Sequence, residues 1–196
     1  MNRPTHVQLA AVAVTAALSL TLGACSDQDP STASTRSNSA GVSDSTGSGD
    51  ASPDNTSVPP WPAPSDVRER VAAAGLDLGP MGTAEHYHPV LSIDIAGQPV
   101  PLPPNIGVDP TTGAMSALHT HEGDGTIHIE AHSVGEKFTL GQLFTQWGVA
   151  LTPTQVGGVK APVGQKVTVT SNGTRFPGDP ADLRLEPDQR IKLTVG

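Results

Sequence analysis

Apolar and polar positions follow two different periods beyond residue 60, and each period predicts a different element. Within Leu140–Trp147 the apolar residues fall at the 3, 4, 7 spacing of a helix with one buried face. Thr139 and Gln142 have the spacing of a capping box, and Gly148 is a residue type at which helices commonly end. The pattern therefore predicts a helix over residues 139–147 whose apolar stripe belongs to the core.

A shorter helix is predicted near the start of the same region. Ser65 or Asp66 can begin it, because short polar side chains accept hydrogen bonds from the free N–H groups of a first turn. Asp66 and Glu69 also have capping-box spacing, and Gly75 marks the end. The prediction is a helix of about two turns ahead of the first strand.

Most of the remaining sequence alternates apolar and polar residues, the period of a strand with one buried face. Residues 114–121 and 126–132 are predicted to form a hairpin around the loop 122–125, and Asn172-Gly173 is typical of a type I′ turn between two further strands. The alternating apolar residues are Tyr87, Leu91, Ile93, Ile95, Val100, Leu102, Val167, Val169, Ile191, Leu193 and Val195. The 21 glycines and 19 prolines also favour short strands and turns.

These elements predict a mainly β (α+β) fold, an antiparallel β-sheet or sandwich-like single domain with two short helices over residues 61–196. Residues 25–60 are rich in Ser, Thr, Asp, Gly and Pro and hold hardly any large apolar side chain. Such a segment cannot bury enough apolar surface to offset the entropy of ordering it. We therefore expect a disordered tether ahead of the domain, with a root-mean-square span of roughly 30–35 Å.

The first residues have the layout of a signal peptide, a basic Arg3 followed by the apolar run Leu9–Leu22. That run is short for a membrane span, which takes roughly 20 apolar residues. The boundary Leu22-Gly23-Ala24-Cys25 resembles the bacterial lipobox. This resemblance implies cleavage after residues 1–24 and a lipid on Cys25, which would anchor the chain to the cell membrane on its extracytoplasmic face. The alternatives are an ordinary secretory signal and a short uncleaved anchor.

The charge of the chain narrows the classes of partner. The formal net charge is −8, and removal of residues 1–24, which hold one basic side chain and no acid, makes it −9. Nucleic-acid binding relies on clustered Lys and Arg, and so does adhesion to anionic lipid through a basic patch. The composition argues against both. The single cysteine also excludes an internal disulfide.

Six of the seven histidines fall between positions 86 and 132, in three short motifs. In a strand, residues two apart point to the same face. His86 and His88 are therefore expected to share one face of the first strand, whereas Tyr87, Leu91 and Ile93 share the other. With residues 122–125 as a four-residue loop, His121 is expected to pair with Thr126. The motifs are His86-x-His88, His119-x-His121 and His128-x-x-x-His132.

The same register sets His119 opposite His128, with directly opposed Cβ atoms about 5 Å apart. It also sets Ala117 opposite Glu130 and Met115 opposite His132. His119, His121 and His128 then form a cluster of three imidazoles on one face, while Leu118, Ile127 and Ile129 face the core.

Three neutral imidazoles on adjacent strands suit Zn²⁺ or Cu²⁺. His86 and His88 complete the set of ligands if their strand neighbours the hairpin, which the sequence leaves open. Glu130 and His132 are possible second-shell residues, and Glu130 is as well suited to orienting a ligand histidine as to binding metal. The alternative is that these histidines serve cross-strand packing at the surface or in the core.

Three runs of this sequence resemble a family of extracytoplasmic bacterial and archaeal domains. They are Leu118-His119-Thr120-His121, Gly125-Thr126-Ile127-His128-Ile129-Glu130 and Phe138-Thr139-Leu140-Gly141-Gln142. The resemblance extends from His86 to the C-terminus. No activity is established for that family, so the resemblance supports the domain boundary and implies no function.

Three functions remain open on the sequence alone. The first is a non-catalytic lipoprotein that sequesters or delivers zinc or copper at the cell surface. The second is a metal-dependent hydrolytic enzyme, with Glu130 or Glu122 as candidate acid or base. The third is an interaction module of the cell envelope that binds no metal and whose histidines are incidental or respond to pH. The sequence indicates no particular protein partner.

Overall fold

The computed structural model describes residues 54–196. The predicted signal peptide (residues 1–24), the lipidation candidate Cys25 and the linker as far as residue 53 lie outside the described residues. Within residues 54–196, no helix is both long enough and apolar enough to cross a bilayer. Because Cys25 lies outside the described residues, the lipid anchor stays a prediction.

Short strands dominate this part of the chain, together with two α-helices and one 3₁₀ turn. The helices are α1 (Val67–Ala73) and α2 (Leu140–Trp147), and Pro180–Asp182 forms the 3₁₀ turn. The strands are β1 (Leu78–Gly79), β2 (Glu85–Tyr87), β3 (Val90–Ile95), β4 (Gln98–Val100), β5 (Met115–Ser116), β6 (Leu118–His119), β7 (His128–Ala131), β8 (Leu151–Thr152), β9 (Gln155–Val156), β10 (Val159–Lys160), β11 (Thr168–Ser171), β12 (Thr174–Arg175) and β13 (Arg190–Val195). The predicted fold class, mainly β with two short helices, is confirmed.

The largest sheet has five strands in the order β12-β11-β13-β3-β4. Its neighbours pair antiparallel, except that β13 and β3 run parallel. Asn172 and Gly173 join β11 to β12 with φ of 49° and 80°, the left-handed values that a type I′ turn requires. The parallel pair is an addition to the predicted antiparallel sheet, because alternation along a strand does not report the direction of its neighbour.

A second sheet, of three antiparallel strands, has the order β2-β7-β6 and carries the histidine motifs. The two remaining sheets are smaller: β1 pairs with β5, and β10, β9 and β8 form a three-stranded meander. Inward-facing residues of the sheets and the apolar face of α2 form one hydrophobic core. That core is the rigid support beneath the histidines.

Helix α2 has the predicted ends. The Oγ1 atom of Thr139 accepts a hydrogen bond from the Gln142 N–H at 3.2 Å, and the Gln142 side chain accepts one from the Thr139 N–H at 3.0 Å. Gly148 ends the helix with φ of 73°. Inside the helix, Gln146 is fully buried and its Nε2 donates to the Leu118 carbonyl at 3.0 Å. Helix α2 therefore holds strand β6 directly.

The strand predicted to run from Tyr87 to Ile95 is two strands in different sheets. Strand β2 ends at Tyr87 and β3 begins at Val90, with Pro89 between them. A proline has no N–H for a sheet ladder and fixes its own φ, so the chain changes sheets there. The expectation that Tyr87 shares a strand with Leu91 and Ile93 was wrong.

The predicted hairpin has the predicted register but a longer connection. His119 pairs with His128, as expected, but Thr126 bridges Val90 of β3 instead of pairing with His121. The ladder ends early because Thr120 bonds to a different partner segment: its N–H donates to the Ile106 carbonyl at 3.0 Å. The predicted pair of Met115 and His132 was also wrong, since Met115 pairs with Gly79 of β1.

The chain from residue 54 to residue 60, assigned to the linker on composition, lies against the domain. The Asn55 N–H donates to the Gly148 carbonyl at 2.6 Å, and Trp61 Nε1 donates to the Ser57 carbonyl at 2.9 Å. Asp54 Oδ1 is 2.7 Å from the buried Arg70 guanidinium. The predicted cap on α1 does not form, because Asp66 makes no capping hydrogen bond and lies 3.4 Å from Arg70.

Candidate metal centre

The β2-β7-β6 sheet has an apolar face and a histidine face. Tyr87, Ile129 and Leu118 lie in register across the three strands on the apolar face. Ile129 and Leu118 are fully buried in the core, and Tyr87 packs against it. Adjacent residues of a strand point to opposite faces, so His86 and His128 project from the other side of the sheet.

Cross-strand register sets the imidazoles of that face beside each other. His119 is paired with His128, and His86 is paired with Glu130. His88 follows the last residue of β2, and its ring centroid is 4.6 Å from that of His128. The strand with His86 and His88 therefore neighbours the hairpin, the arrangement that the sequence left open.

His119 is fully buried, and its backbone neighbours fix its ring. Its Nδ1 lies 2.8 Å from the carbonyl oxygen of Ser116, which can only accept, so Nδ1 carries the proton. The opposite nitrogen, Nε2, is then left with the lone pair. A histidine that donates one ring N–H to a backbone carbonyl has the orientation and tautomer usual for a metal ligand.

The free nitrogen of His119 faces a second imidazole. His119 Nε2 and His121 Nε2 are 3.0 Å apart. Two nitrogens on a metal at about 2.0–2.1 Å are separated by about 3.3 Å in tetrahedral geometry and about 2.9 Å at a right angle. The observed distance lies between these values. The pair is therefore spaced for one ion of either geometry, and His121 Nε2–H can donate to His119 when no ion is bound.

Five imidazole rings form a connected series on the histidine face. Neighbouring ring centroids in the series lie 4.6–5.3 Å apart. His86, His88 and His121 are exposed, His128 is half-buried and His119 is fully buried. The histidines in the series are His86, His88, His128, His121 and His119.

Two groups of three histidines could hold a metal ion. We call His86, His88 and His128 the outer group, and His119, His121 and His128 the inner group. Within each group the ligand atoms all lie within 4.8 Å of one another. Among the residues that the structure describes, no group of four satisfies this distance, so each position offers three imidazoles. His128 belongs to both groups.

His128 has a buried nitrogen that the protein does not satisfy. Within residues 54–196, its Nε2 has no hydrogen-bond partner although it is shielded from solvent. The Oε2 atom of Glu122 is 3.6 Å away, too far for a hydrogen bond. Buried polar atoms are nearly always paired, so an orphaned one indicates a ligand or ordered water at that place.

Each group has a carboxylate at its edge. Glu130 Oε1 lies 3.6 Å from His86 Nε2 in the outer group, and Glu122 Oε2 lies at the same distance from His128 Nε2. Glu130 is only 20% exposed, whereas Glu122 is 62% exposed. Glu130 is paired directly across from His86, at a distance beyond a hydrogen bond, so its part in orienting a ligand histidine stays a prediction.

The electrostatics favour neutral imidazoles with available lone pairs. The pKa of His119 is lowered from 6.5 to about 4, chiefly by burial and also by His121 and His128, while the hydrogen bond that its Nδ1–H donates to the Ser116 carbonyl opposes the shift. Burial likewise lowers the pKa of His128, with His88 and His121 adding to the effect. Because a metal competes with protons for the same nitrogens, these shifts aid metal binding at neutral pH.

The structure does not bring every predicted residue to the cluster. His132 lies beyond the end of β7, where its side chain is exposed and its backbone N–H donates to Glu136 Oε2 at 2.9 Å. It belongs to neither group of three. Glu130, in contrast, lies next to His86, and the parts predicted for Glu130 and His132 in supporting the ligands stay predictions.

Residues that sequence patterns did not single out support the inner group from behind. The segment at Ile106 and Gly107 lies beside β6, and the Ser116 N–H donates to the Gly107 carbonyl at 2.8 Å. A side chain at Gly107 would come within 2.7 Å of the Leu118 carbonyl and of Gln146 Oε1. The Ser116 carbonyl that orients His119 belongs to the backbone. Because every residue type has such a carbonyl, the sequence could not identify this acceptor.

Comparison with known proteins returned no match: no family model, curated protein or solved structure is significantly similar to this chain.

Proposed function

We propose that this protein is a metal-binding lipoprotein that takes up Zn²⁺ or Cu²⁺ through its histidine face, for sequestration or delivery outside the cytoplasm. The observation that carries the proposal is the buried, unpaired Nε2 of His128 at the point where two groups of imidazoles meet. A bound ion or a bridging water would satisfy that atom. The buried, correctly protonated His119 beside it adds a second prepared ligand.

The donor set limits the metal to a short list. Both groups offer imidazole nitrogen with carboxylate oxygen nearby, and residues 54–196 contain no thiol. Imidazole suits Zn²⁺ and Cu²⁺, whereas Mg²⁺ and Ca²⁺ prefer oxygen ligands. Three protein ligands leave a fourth position open, which is typical of exchangeable or catalytic zinc sites and unlike closed structural ones. An open position suits a protein that passes its ion on.

Calorimetric titration of the full chain with Zn²⁺ and Cu²⁺ tests the proposal. The chain is purified in detergent, without a histidine tag. The wild type is expected to bind at micromolar Kd or tighter, and the variant H119Q/H121Q/H128Q to bind at least 100-fold more weakly. The matched control is His132→Gln, an exposed histidine outside both groups. Equal affinity of the triple variant and the wild type, or no binding by the folded wild type, would contradict the proposal.

The membrane anchor is a separate part of the proposal. Its support is the sequence Leu22-Gly23-Ala24-Cys25 at the end of a short apolar run. Expression in a bacterium with labelled palmitate is expected to label the wild type and not Cys25→Ser, and mass spectrometry should find an N-terminus at the modified Cys25. An unlabelled wild type that is released in soluble form would contradict the anchor and leave the metal site untouched.

A hydrolytic enzyme is the second candidate. The observation in its favour is Glu122, an exposed carboxylate 3.6 Å from His128 Nε2, where it could take a proton from a metal-bound water. The cavities of about 550 Å³ and 320 Å³ are lined by residues other than these histidines. Zinc-dependent hydrolysis of generic ester or peptide substrates that is lost in Glu122→Gln, with metal affinity retained, would favour the enzyme.

A further inference from the structure

We infer that the histidine face holds one ion at two alternative positions, with His128 as the ligand that both positions share. The ion enters at the outer group and passes to the inner group through the His128 ring. This inference rests on the proposed function and adds a route for uptake and release. Its first support is that the two groups of three overlap at one residue.

A neutral imidazole has one lone pair, because its other nitrogen carries a proton. His128 can therefore ligate one ion at a time. Since each group needs His128 to reach three imidazoles, the two groups are filled in turn and not together. The expected capacity is one ion per chain, even though five imidazoles and two carboxylates surround the face.

The two positions differ in their contact with solvent. In the outer group, His86 is 57% exposed and His88 is exposed as well, so a hydrated ion can reach them directly. In the inner group, His121 is exposed, but His119 is 0% exposed and its ring is fixed by the Ser116 carbonyl. An ion at the inner position loses more of its water and is held by a better oriented ligand. The outer position is thus suited to exchange and the inner position to retention.

The geometry also provides a path without large movement. The ring centroid of His128 is 4.6 Å from that of His88 on one side and 4.8 Å from that of His121 on the other. An ion bound to His128 can therefore exchange His88 for His121 while one bond to the protein is kept. Exchange of ligands one at a time avoids the cost of a fully dissociated ion.

Stopped-flow measurement of Cu²⁺ uptake and of its removal by a chelator tests the route, alongside calorimetric stoichiometry. The full chain in detergent is compared with H86Q/H88Q, which alters only exposed side chains, and with the control His132→Gln. We expect one ion per wild-type chain. In H86Q/H88Q, uptake and removal should both slow at least tenfold, and Kd should change less than either rate. His132→Gln should exchange at wild-type rates.

The variant H119Q/H121Q isolates the outer position. If it is folded by circular dichroism, it should still bind one ion per chain, with Kd raised at least 100-fold and removal faster than in the wild type. Two ions per wild-type chain, or wild-type exchange rates in H86Q/H88Q, would overturn the inference while leaving metal binding intact. A wild type that binds no ion would instead overturn the proposed function itself.

Discussion

The imidazole of His128 stacks on that of His119 across the β6–β7 pair, with ring centroids 5.3 Å apart and ring planes inclined by 15°. Two stacked imidazoles cannot both be charged without repulsion, and the pKa of each is lowered. At neutral pH these two rings therefore present lone pairs in place of charges. Burying these neutral imidazoles lowers the stability of the metal-free protein but leaves their nitrogens ready to bind an ion.

The first prediction concerns the pH dependence of stability without metal. The folded pKa of His119 is about 4, below its ordinary value of 6.5, so the unfolded chain binds the proton more readily. Stability from this residue is complete above about pH 6.5 and falls as the pH is lowered towards 4, by on the order of 3 kcal/mol in total. Urea unfolding in EDTA at half-unit steps from pH 4 to 7.5 measures it.

The same titration on two variants assigns the effect. His119→Gln removes the buried imidazole and should flatten the dependence between pH 4 and 6.5. His132→Gln, which changes an exposed histidine, should keep the wild-type slope. A His119→Gln protein whose stability falls as steeply as that of the wild type would show that another group accounts for the loss.

The second prediction separates stability from metal binding at His128. Its buried Nε2 has no hydrogen-bond partner among the described residues, and an unsatisfied buried polar atom costs about 1–3 kcal/mol. His128→Leu removes that atom and is expected to raise the free energy of unfolding of the metal-free protein by about 1 kcal/mol. Metal binding should be lost in the same variant, because both groups of three need this ring.

Denaturant unfolding in EDTA and calorimetry with Zn²⁺ check both parts of this prediction. His132→Leu serves as the control, since it makes the same substitution at an exposed site and should change stability by less than about 0.5 kcal/mol. A His128→Leu protein that is less stable than the wild type without metal would indicate that the ring contributes more by packing than its unpaired nitrogen costs.

Part of this architecture could be predicted from local sequence. The capping residues and the apolar stripe of α2 lie within ten positions of each other, and so the helix was found with its ends. The pairing of His119 with His128 follows from the spacing of two alternating segments around a turn. Local spacing also identified the inner group, because all three of its histidines belong to that hairpin.

The rest depends on contacts between distant parts of the chain. The outer group exists because β2 lies next to β7, and nothing within β2 encodes that neighbour. The bridge of Thr126 to Val90 displaced the expected pair with His121, since β3 offers a competing backbone edge. Strand alternation indicates which face is buried, but not which strand is adjacent. The membership of His128 in both groups of three could therefore be seen only in the tertiary structure.

The third prediction concerns the loop that carries Glu122. Gly125 has φ of 92°, its carbonyl accepts from the Leu91 N–H at 2.9 Å, and a Cβ there would clash with the Leu91 carbonyl oxygen. Gly125→Ala is therefore expected to destabilise the protein by about 3 kcal/mol or more. Gly97→Ala is the matched control: φ is 80° but nothing lies within 4 Å, so only about 1 kcal/mol is expected.

Thermal unfolding of both glycine variants gives the comparison. Equal losses of stability would mean that backbone strain alone decides the outcome and that contact with Leu91 contributes little. A larger loss of stability in Gly125→Ala would show that the loop 122–125 packs tightly against β3. That packing would fix the position of the Glu122 carboxylate next to the histidines.

The fourth prediction concerns how the N-terminal segment is attached. The Arg70 side chain is 5% exposed, and Asp54 Oδ1 lies 2.7 Å from its guanidinium, next to the bond from the Asn55 N–H to the Gly148 carbonyl. Asp54→Ala should lower global stability by only about 1 kcal/mol or less, because Asp54 is half exposed and Arg70 keeps Asp66. Hydrogen exchange at the Asn55 amide should nevertheless accelerate, by up to about fivefold, because local opening of the segment no longer breaks that ion pair.

The control is Asp77→Ala, which removes an exposed acidic side chain after α1 and changes the net charge by the same amount as Asp54→Ala. It should leave exchange at Asn55 unchanged. Metal affinity should be equal in both variants, because the contacts of Asp54 and Asn55 are with α1 and with Gly148 and Val149 after α2, away from the histidine face. If Asp54→Ala instead weakened metal binding, the segment would be coupled to the site through the core, and the tether would have a part in uptake beyond distance from the membrane.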